Sequence, residues 1–334
     1  MSFHNLSISV LKVGRQLAGS LVVAAFFLLG GCFKEEEPVK PHEIGAFKTR
    51  SISLASDYRY QVYYNLEKDS VISRNIKTEW DIAFESNAEG VKAYLNPANF
   101  MSCWKTDKPD IDELVDTTDF FKNRAWDAAN RPDSLAIGDV RSLKKPLWVD
   151  RGYNEKGDPL DFYKIQFVSV DAQKYVIKVA KDKGGKAQTF EVQKDRNINF
   201  VHFSFNTLST VAIEPPSKEW DLQFTQYIHN FSNPYLPYLV TGVILNPYNT
   251  TAIADSSLDF KKIDINIAKD FKLSPKPDVI GYAWKNFINN VYSINSHWNY
   301  IIRDSKGFYY KLHFIDFYNE NGTKGSPKFE FQRL

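Results

Sequence analysis

The pattern of apolar and polar positions changes character twice along the chain. Residues 17–29 are an almost unbroken apolar run, residues 33–56 are rich in charge and proline, and from residue 57 short apolar stretches alternate with polar turns. In this third part the dominant period is two. Tyr60-Gln61-Val62-Tyr63-Tyr64, Tyr175-Val176-Ile177-Lys178-Val179 and Phe200-Val201-His202-Phe203-Ser204-Phe205 are short, β-branched and aromatic, and turn residues bound them, which predicts strands. Lys183-Gly184-Gly185-Lys186 predicts a hairpin, because consecutive glycines reach the positive φ such turns need. Leu312, Phe314 and Asp316 fall on one face of a strand, and Lys311, His313 and Ile315 on the other. Trp80, Ile82 and Phe84 likewise share a face, as in a strand with a core side. Helical periodicity is sparse. Pro109 to Ala129 predicts a helix, with Asp110, Asp112 and Glu113 early, where the helix dipole favours acids. The expected fold is mainly β, in antiparallel sheets with minor helix.

The strand patterns are written twice. Thr78-Glu79-Trp80-Asp81-Ile82-Ala83-Phe84 recurs as Lys218-Glu219-Trp220-Asp221-Leu222-Gln223-Phe224, and Leu95-Asn96-Pro97 as Leu245-Asn246-Pro247. Pro132-Asp133 leading into Ile137-Gly138 matches Pro277-Asp278 leading into Ile280-Gly281. Trp148 to Arg151 and Phe162 to Phe167 match Tyr300 to Arg303 and Tyr309 to Phe314. Five pairs in one order, at offsets of 140 to 152, argue for duplication into two domain-sized units rather than a solenoid. The expected division is a leader over 1–31, a tether over 32–56, and repeats over 57–198 and 199–334.

Composition supports strands: 25 Phe, 18 Tyr and 7 Trp stand against 16 Gly and 2 Met. With 43% hydrophobic and 25% charged residues, disorder, collagen and polytopic membrane folds are excluded. The leader carries Lys12 and Arg15 ahead of its apolar run, as a signal peptide does. Leu29-Gly30-Gly31-Cys32 resembles a bacterial lipobox, in which Cys32 becomes lipid-modified; an ordinary secretory peptide is the alternative. Phe33-Lys34-Glu35-Glu36-Glu37 resembles the acidic tag that directs Bacteroidetes lipoproteins to the cell surface. The leader also holds the whole formal charge of +2, so its removal leaves 40 basic against 40 acidic residues. A neutral body without a basic stripe argues against nucleic-acid binding. With Cys32 lipidated, Cys103 has no intrachain partner, and stability rests on the core.

Catalytic signatures are missing: there is no His-Glu-x-x-His, no Gly-x-Ser-x-Gly, no phosphate-binding glycine loop and no Cys-x-x-Cys. The expectation is a binding protein rather than an enzyme. Asp81 and Asp221 are expected to bond backbone donors. The acidic run from Asp107 to Asp119 lacks the ligand spacing of a calcium loop. Among the histidines, His202 and His313 stand opposite Val62 and Gln166 in the repeat and read as tolerant strand positions. His229 differs. It lies in a segment ten residues longer than its counterpart, with Tyr227, Phe231, Tyr235 and Tyr238. An imidazole among aromatic walls suits a flat, apolar iron macrocycle; a loop capping the sheet through its aromatics is the alternative. His297, beside Trp298, is the second candidate, and Met101 is the sole methionine after the leader.

Trp220 to Tyr227, Val240 to Asn246, and Tyr310 to Gly322 followed by Gly325-Ser326-Pro327, together with the lipobox, resemble the HmuY family, best over about residues 200–334. That resemblance implies a mostly β, haem-binding lipoprotein on the outer-membrane surface, acquiring iron and passing haem to a TonB-dependent receptor. It implies two axial side chains, His or Met, for which His229 with His297 or Met101 are the candidates. The alternative from a different class is a surface glycan-binding or adhesion lipoprotein.

Overall fold

A computed structural model describes residues 44–334. The leader, Cys32 and the tether as far as residue 43 lie outside the described residues. From the N-terminal side run β1 (Lys48–Ser51), β2 (Tyr60–Asn65), β3 (Ser70–Ile76), β4 (Ile82–Glu85), β5 (Lys92–Leu95), β6 (Ser102–Lys105) and β7 (Gly138–Asp139). Then follow β8 (Leu147–Asp150), β9 (Phe162–Val170), β10 (Lys174–Lys181), β11 (Gln188–Gln193), β12 (Phe200–Ser204) and β13 (Ser209–Val211). The remaining strands are β14 (Leu222–Ser232), β15 (Tyr235–Leu245), β16 (Thr251–Asp255), β17 (Lys285–Ile288), β18 (Val291–Ile294), β19 (Asn299–Arg303), β20 (Tyr309–Tyr318) and β21 (Lys324–Arg333). Two short α-helices, α1 (Phe120–Asn123) and α2 (Ile265–Asp270), complete the described elements together with 3-10 turns. The fold is mainly β.

All the strand ladders are antiparallel. One sheet has the order β11-β10-β9-β8-β6 and a second β13-β12-β4-β5-β7; a third has β15-β14-β2-β3 and a fourth β1-β21-β20-β19-β16. Period-two patterning sets which side of each strand is buried. Tyr175, Ile177 and Val179 of β10 point into a core shared with Ile82, Phe84, Ile165 and Phe203, while Lys178 between them is exposed. A second core joins Tyr64, Phe224, Trp284, Phe314 and Phe329. Each such side chain, fully withdrawn from water, contributes about 1.5–3 kcal/mol.

Pairing crosses the line between residues 198 and 199. β1 pairs with β21 and β2 with β14, so strands from residues 48–76 complete the sheets built by 222–333. β12 pairs with β4, within the sheets of residues 82–211. Between the second and third sheets lies a small aromatic cluster of Tyr63, Trp80, Ala83, Ile213 and Trp220.

Four local expectations differ from what is observed. The stretch from Pro109 to Ala129 is helical only over α1. Asp110, Asp116 and Asp119 spend their carboxylates or carbonyls on local turns, with Asp110 accepting from the Asp112 N–H and Asp116 from that of Thr118, and these bonds compete with a helical ladder. α1 survives because Phe120 is buried edge-on to Trp148, with ring centroids 4.5 Å apart. In the β10–β11 turn, positive φ falls on Lys183 and Gly184 rather than on both glycines. Trp80 does not share the face of Ile82 and Phe84: it precedes β4, after a 3-10 turn at Lys77–Glu79, and packs in the central cluster. His202 is no tolerant position, being 4% exposed and edge-on to Trp80 at 4.6 Å.

Asp81 and Asp221 do bond backbone donors. Asp81 accepts from the Phe205 N–H at 2.6 Å and Asp221 from the Leu66 N–H at 2.8 Å. Cys103 is free and buried.

Candidate functional site

β14 and β15 are 11 residues each, against four each in β4 and β5, so the extra length of this segment is spent on extending a hairpin. Alternating aromatic and β-branched residues carry the ladder to its tip, where Ser232 pairs with Tyr235. The register places His229 opposite Tyr238 and Phe231 opposite Leu236. His229, Phe231 and Tyr238 therefore share a side. The His229 ring lies edge-on to Phe231 at 5.1 Å and to Tyr282 at 5.0 Å, and Phe231 lies 6.2 Å from Tyr238.

The two nitrogens of His229 differ in their surroundings. Nδ1 is buried, makes no hydrogen bond, and lies 3.6 Å from Oδ2 of Asp278. The imidazole is 21% exposed, leaving Nε2 on the accessible side. Burial pushes the Asp278 carboxyl up from its ordinary range, and His229 opposes that shift. A carboxylate beside one imidazole nitrogen favours the ring orientation that turns the other nitrogen away from it.

Tyr227 is wholly buried and its hydroxyl lacks a hydrogen-bond partner; burial pushes the phenol well above its usual range. Tyr235 lies on the other side of the hairpin, 3.4 Å from Asn230 Nδ2, with Arg131 over its ring at 5.9 Å. Met101 is enclosed in the first core, with no exposed surface. His297 lines a separate cavity of about 820 Å³ with Phe260 and His313. In that cavity His313 stacks on Phe260 at 3.8 Å and its Nε2 meets Glu330 at 3.0 Å, so its ring is already engaged. The structure thus gathers His229, Phe231 and Tyr238 and leaves Tyr235, His297 and Met101 elsewhere. No group of three or more metal-ligating side chains occurs among the described residues.

Asp278 and Tyr282 are the residues that sequence patterning missed. Pro277-Asp278 was visible only as a repeat marker, because nothing in its local pattern indicates that the loop before β17 returns to the β14–β15 hairpin. Backbone pairing brings it there: Val243 and Gly281 exchange two hydrogen bonds of 3.0 Å. Gly281 takes a positive φ of 62°, and an added Cβ on Gly242 would lie 2.3 Å from the Gly281 carbonyl oxygen.

A second feature is a cleft of about 410 Å³ between the second and third sheets. Trp80, Tyr94, Phe200, His202, Trp220 and Tyr248 wall it, and Tyr227, two residues before His229, reaches its lining. Sequence patterning placed Trp80 on the core face of a strand and did not indicate this cleft.

Comparison with known proteins gives three kinds of result. A family model, HmuY protein, matches residues 57–331. Among solved structures, the apo HmuY analog of Tannerella forsythia is 12% identical, covering 88% of this chain and 99% of its own, with a TM-score of 0.33. Apo PinO from Porphyromonas gingivitis is 10% identical over 86% of this chain and 97% of its own, with a TM-score of 0.33. A Bacteroides vulgatus protein described as a "putative HmuY_like heme binding protein" is 11% identical over 85% of this chain and 90% of its own, with a TM-score of 0.21. No curated protein matches the sequence. The family match runs from just before β2 into β21, taking in both copies of the Trp-Asp motif and the extended hairpin, and the chain belongs to the HmuY family.

Proposed function

We propose that this protein captures haem at the cell surface, with His229 as the axial ligand and Phe231 and Tyr238 as walls against the macrocycle. The observation that carries the reading is the pairing of His229 Nδ1 with the half-buried Asp278, which leaves Nε2 directed away from that carboxylate among exposed aromatic rings. Haem, as cargo, would supply the iron that accepts this nitrogen. Family membership supports a haem-binding type of function. The leader, Cys32 and its acidic tag support a lipid anchor in the outer membrane, and iron acquisition with transfer to a TonB-dependent receptor completes the proposal. No catalytic step is part of it.

With Met101 sealed in the core and His297 lining another cavity, the proposal rests on His229 as the one protein ligand. Titration of the purified protein with haemin tests this. A Soret shift with a high-spin signature is expected, lost in His229→Ala and weakened roughly 10-fold or more in Asp278→Asn, as outer-shell partners of metal-binding histidines behave. His297→Ala and Met101→Leu should leave the spectrum unchanged. A Soret band that survives His229→Ala but disappears in His297→Ala would overturn the assignment and move haem to the cavity of His297 and His313.

A further inference from the structure

The central cleft has an electrostatic peculiarity that haem does not use. Three carboxylates at its edge, Glu85, Asp127 and Glu214, are each less than a tenth exposed. Neutral donors satisfy all three. Asp127 accepts from the backbone N–H groups of Leu95 and Ala136, both at 2.6 Å. Glu214 accepts from the N–H groups of Asn199 and Phe200 and from the Trp220 indole at 3.0 Å. Glu85 accepts from the Val91 and Lys92 N–H groups and from the hydroxyls of Tyr94 and Tyr248, at 3.0 and 3.2 Å. None of the three makes an ion pair among the described residues, and Lys92, exposed at the rim, is the one cationic side chain in the lining.

Buried carboxylates are ordinarily paired with a cation, because hydrogen bonds from neutral groups leave the net charge in place. Here burial without a cation pushes Glu214 up to about 7 and Asp127 up to about 6, so an entering cation would draw both back toward the charged form, and the lining includes Trp80, Tyr94, Phe200, Trp220 and Tyr248, whose rings carry negative quadrupole potential on their faces. Both contributions have the same sign. A cavity of about 410 Å³ also lies within the range of small-molecule sites. One further group in the lining lacks a partner, Nδ1 of His202, on a side chain more than nine-tenths buried. Burial holds His202 neutral by pushing its pKa down to about 3, so it adds a polar edge without adding positive charge.

We propose that the cleft between the second and third sheets binds an organic cation, an ammonium or guanidinium group carried on a compact apolar body. A dianionic porphyrin is disfavoured in the same place by the three carboxylates, so this site is separate from that of His229. The cation has two sources with one chemistry: a free amine, or a lysine-type side chain presented by a peptide.

Choline and its uncharged isostere 3,3-dimethylbutan-1-ol separate charge from shape. Calorimetry on the purified protein, with the fluorescence of Trp80 and Trp220 as a second readout, should show choline binding at least 10-fold tighter than the alcohol. Glu214→Gln should reduce that preference several-fold. Should Glu214→Gln misfold, Tyr248→Ala, at a residue 52% exposed on the rim, removes one wall without entering the core and should weaken choline binding likewise. A peptide carrying trimethyl-lysine, run beside choline, identifies the source: tighter binding of the peptide indicates a protein side chain, and equal or weaker binding a free amine. Equal affinity for choline and the alcohol, no binding of either cation, or binding of a neutral oligosaccharide with choline silent would each overturn the proposal.

Discussion

Replacing Arg151 by Met tests how this fold tolerates the aspartate of its repeated Trp-Asp motif. Asp81 has no exposed surface, and Arg151 is 3% exposed. Nε of Arg151 donates to Oδ1 at 2.7 Å and a terminal nitrogen to Oδ2 at 3.2 Å, with a further bond to Asn206 at 2.8 Å. Burial pushes the Asp81 carboxyl up and Arg151 draws it back. Methionine keeps an apolar side chain at the site but removes the guanidinium, which also lies 5.5 Å from the Tyr163 ring centroid, and strands the carboxylate. Breaking a buried pair from one side costs about 3–5 kcal/mol, and with a neutral donor from Phe205 remaining the lower end, about 3 kcal/mol, is expected at pH 7.5. Such a loss is a large fraction of the ~5–15 kcal/mol that holds a typical domain folded. The loss should shrink toward pH 5, because a stranded carboxyl with a raised pKa takes up a proton in the folded state. Adding Asp81→Asn to Arg151→Met removes the charge and should recover most of the stability. Urea unfolding of the wild type, both single variants and the double variant at two pH values measures every leg of the cycle. A single Arg151→Met variant within about 0.5 kcal/mol of wild type, or a double variant no better than the single, would refute the reasoning.

The matching Asp221 has no cation in ion-pairing reach among the described residues, and burial, with Asp304 and Glu67 nearby, pushes it up to about 7. Its folded pKa lies above its unfolded value of 3.8, so stability is greatest below that value and falls as pH rises toward 7, with Glu214 (about 7) and Asp127 (about 6) acting in the same direction. Asp221→Asn should flatten the fall of thermal midpoint between pH 4 and 8 by an amount on the order of 4 kcal/mol in stability; an unchanged slope would contradict the burial argument. Gly242→Ala places a methyl 2.3 Å from the Gly281 carbonyl and should cost about 1–3 kcal/mol in urea unfolding, with loosening of the Asp278 loop seen as weakened haem binding. Cys103, 1% exposed and with its thiol pushed up by burial, should resist thiol reagents in the native protein and react at the rate of global unfolding. Fast labelling under native conditions would indicate local opening of β6.

The line between what patterning reveals and what it hides runs through individual residues. Tyr175, Ile177 and Val179 were assignable to a strand because burial alternates with backbone pleat, a local rule. Trp80 was misplaced by the same rule, since a 3-10 turn and the bond from Phe205 to Asp81 break the alternation just before β4 begins. His229 was singled out because its segment is longer than its counterpart, a difference that a single sequence displays. Its partner Asp278 lies 49 residues downstream and arrives through the contact of Gly281 with Val243, which no period reports. His202 showed the opposite error: opposite Val62 in the repeat, it looked tolerant, yet the packing of the second sheet against the third encloses it beside Trp80.

By itself the sequence determined the mainly antiparallel β architecture, the two Trp-Asp motifs and the lengthened aromatic segment that carries His229, because these depend on side-chain period and on comparison within the chain. Tertiary structure alone decided that β1 and β2 close onto β21 and β14, and that Trp80 and Trp220 meet in one cluster beside a cleft edged by unpaired carboxylates. It also removed Met101 and His297 from the neighbourhood of His229. The physical reason is range: pleat and turn chemistry act over a few residues, whereas sheet pairing and desolvation join residues far apart in the chain, and ligand sites are made by the second kind of contact.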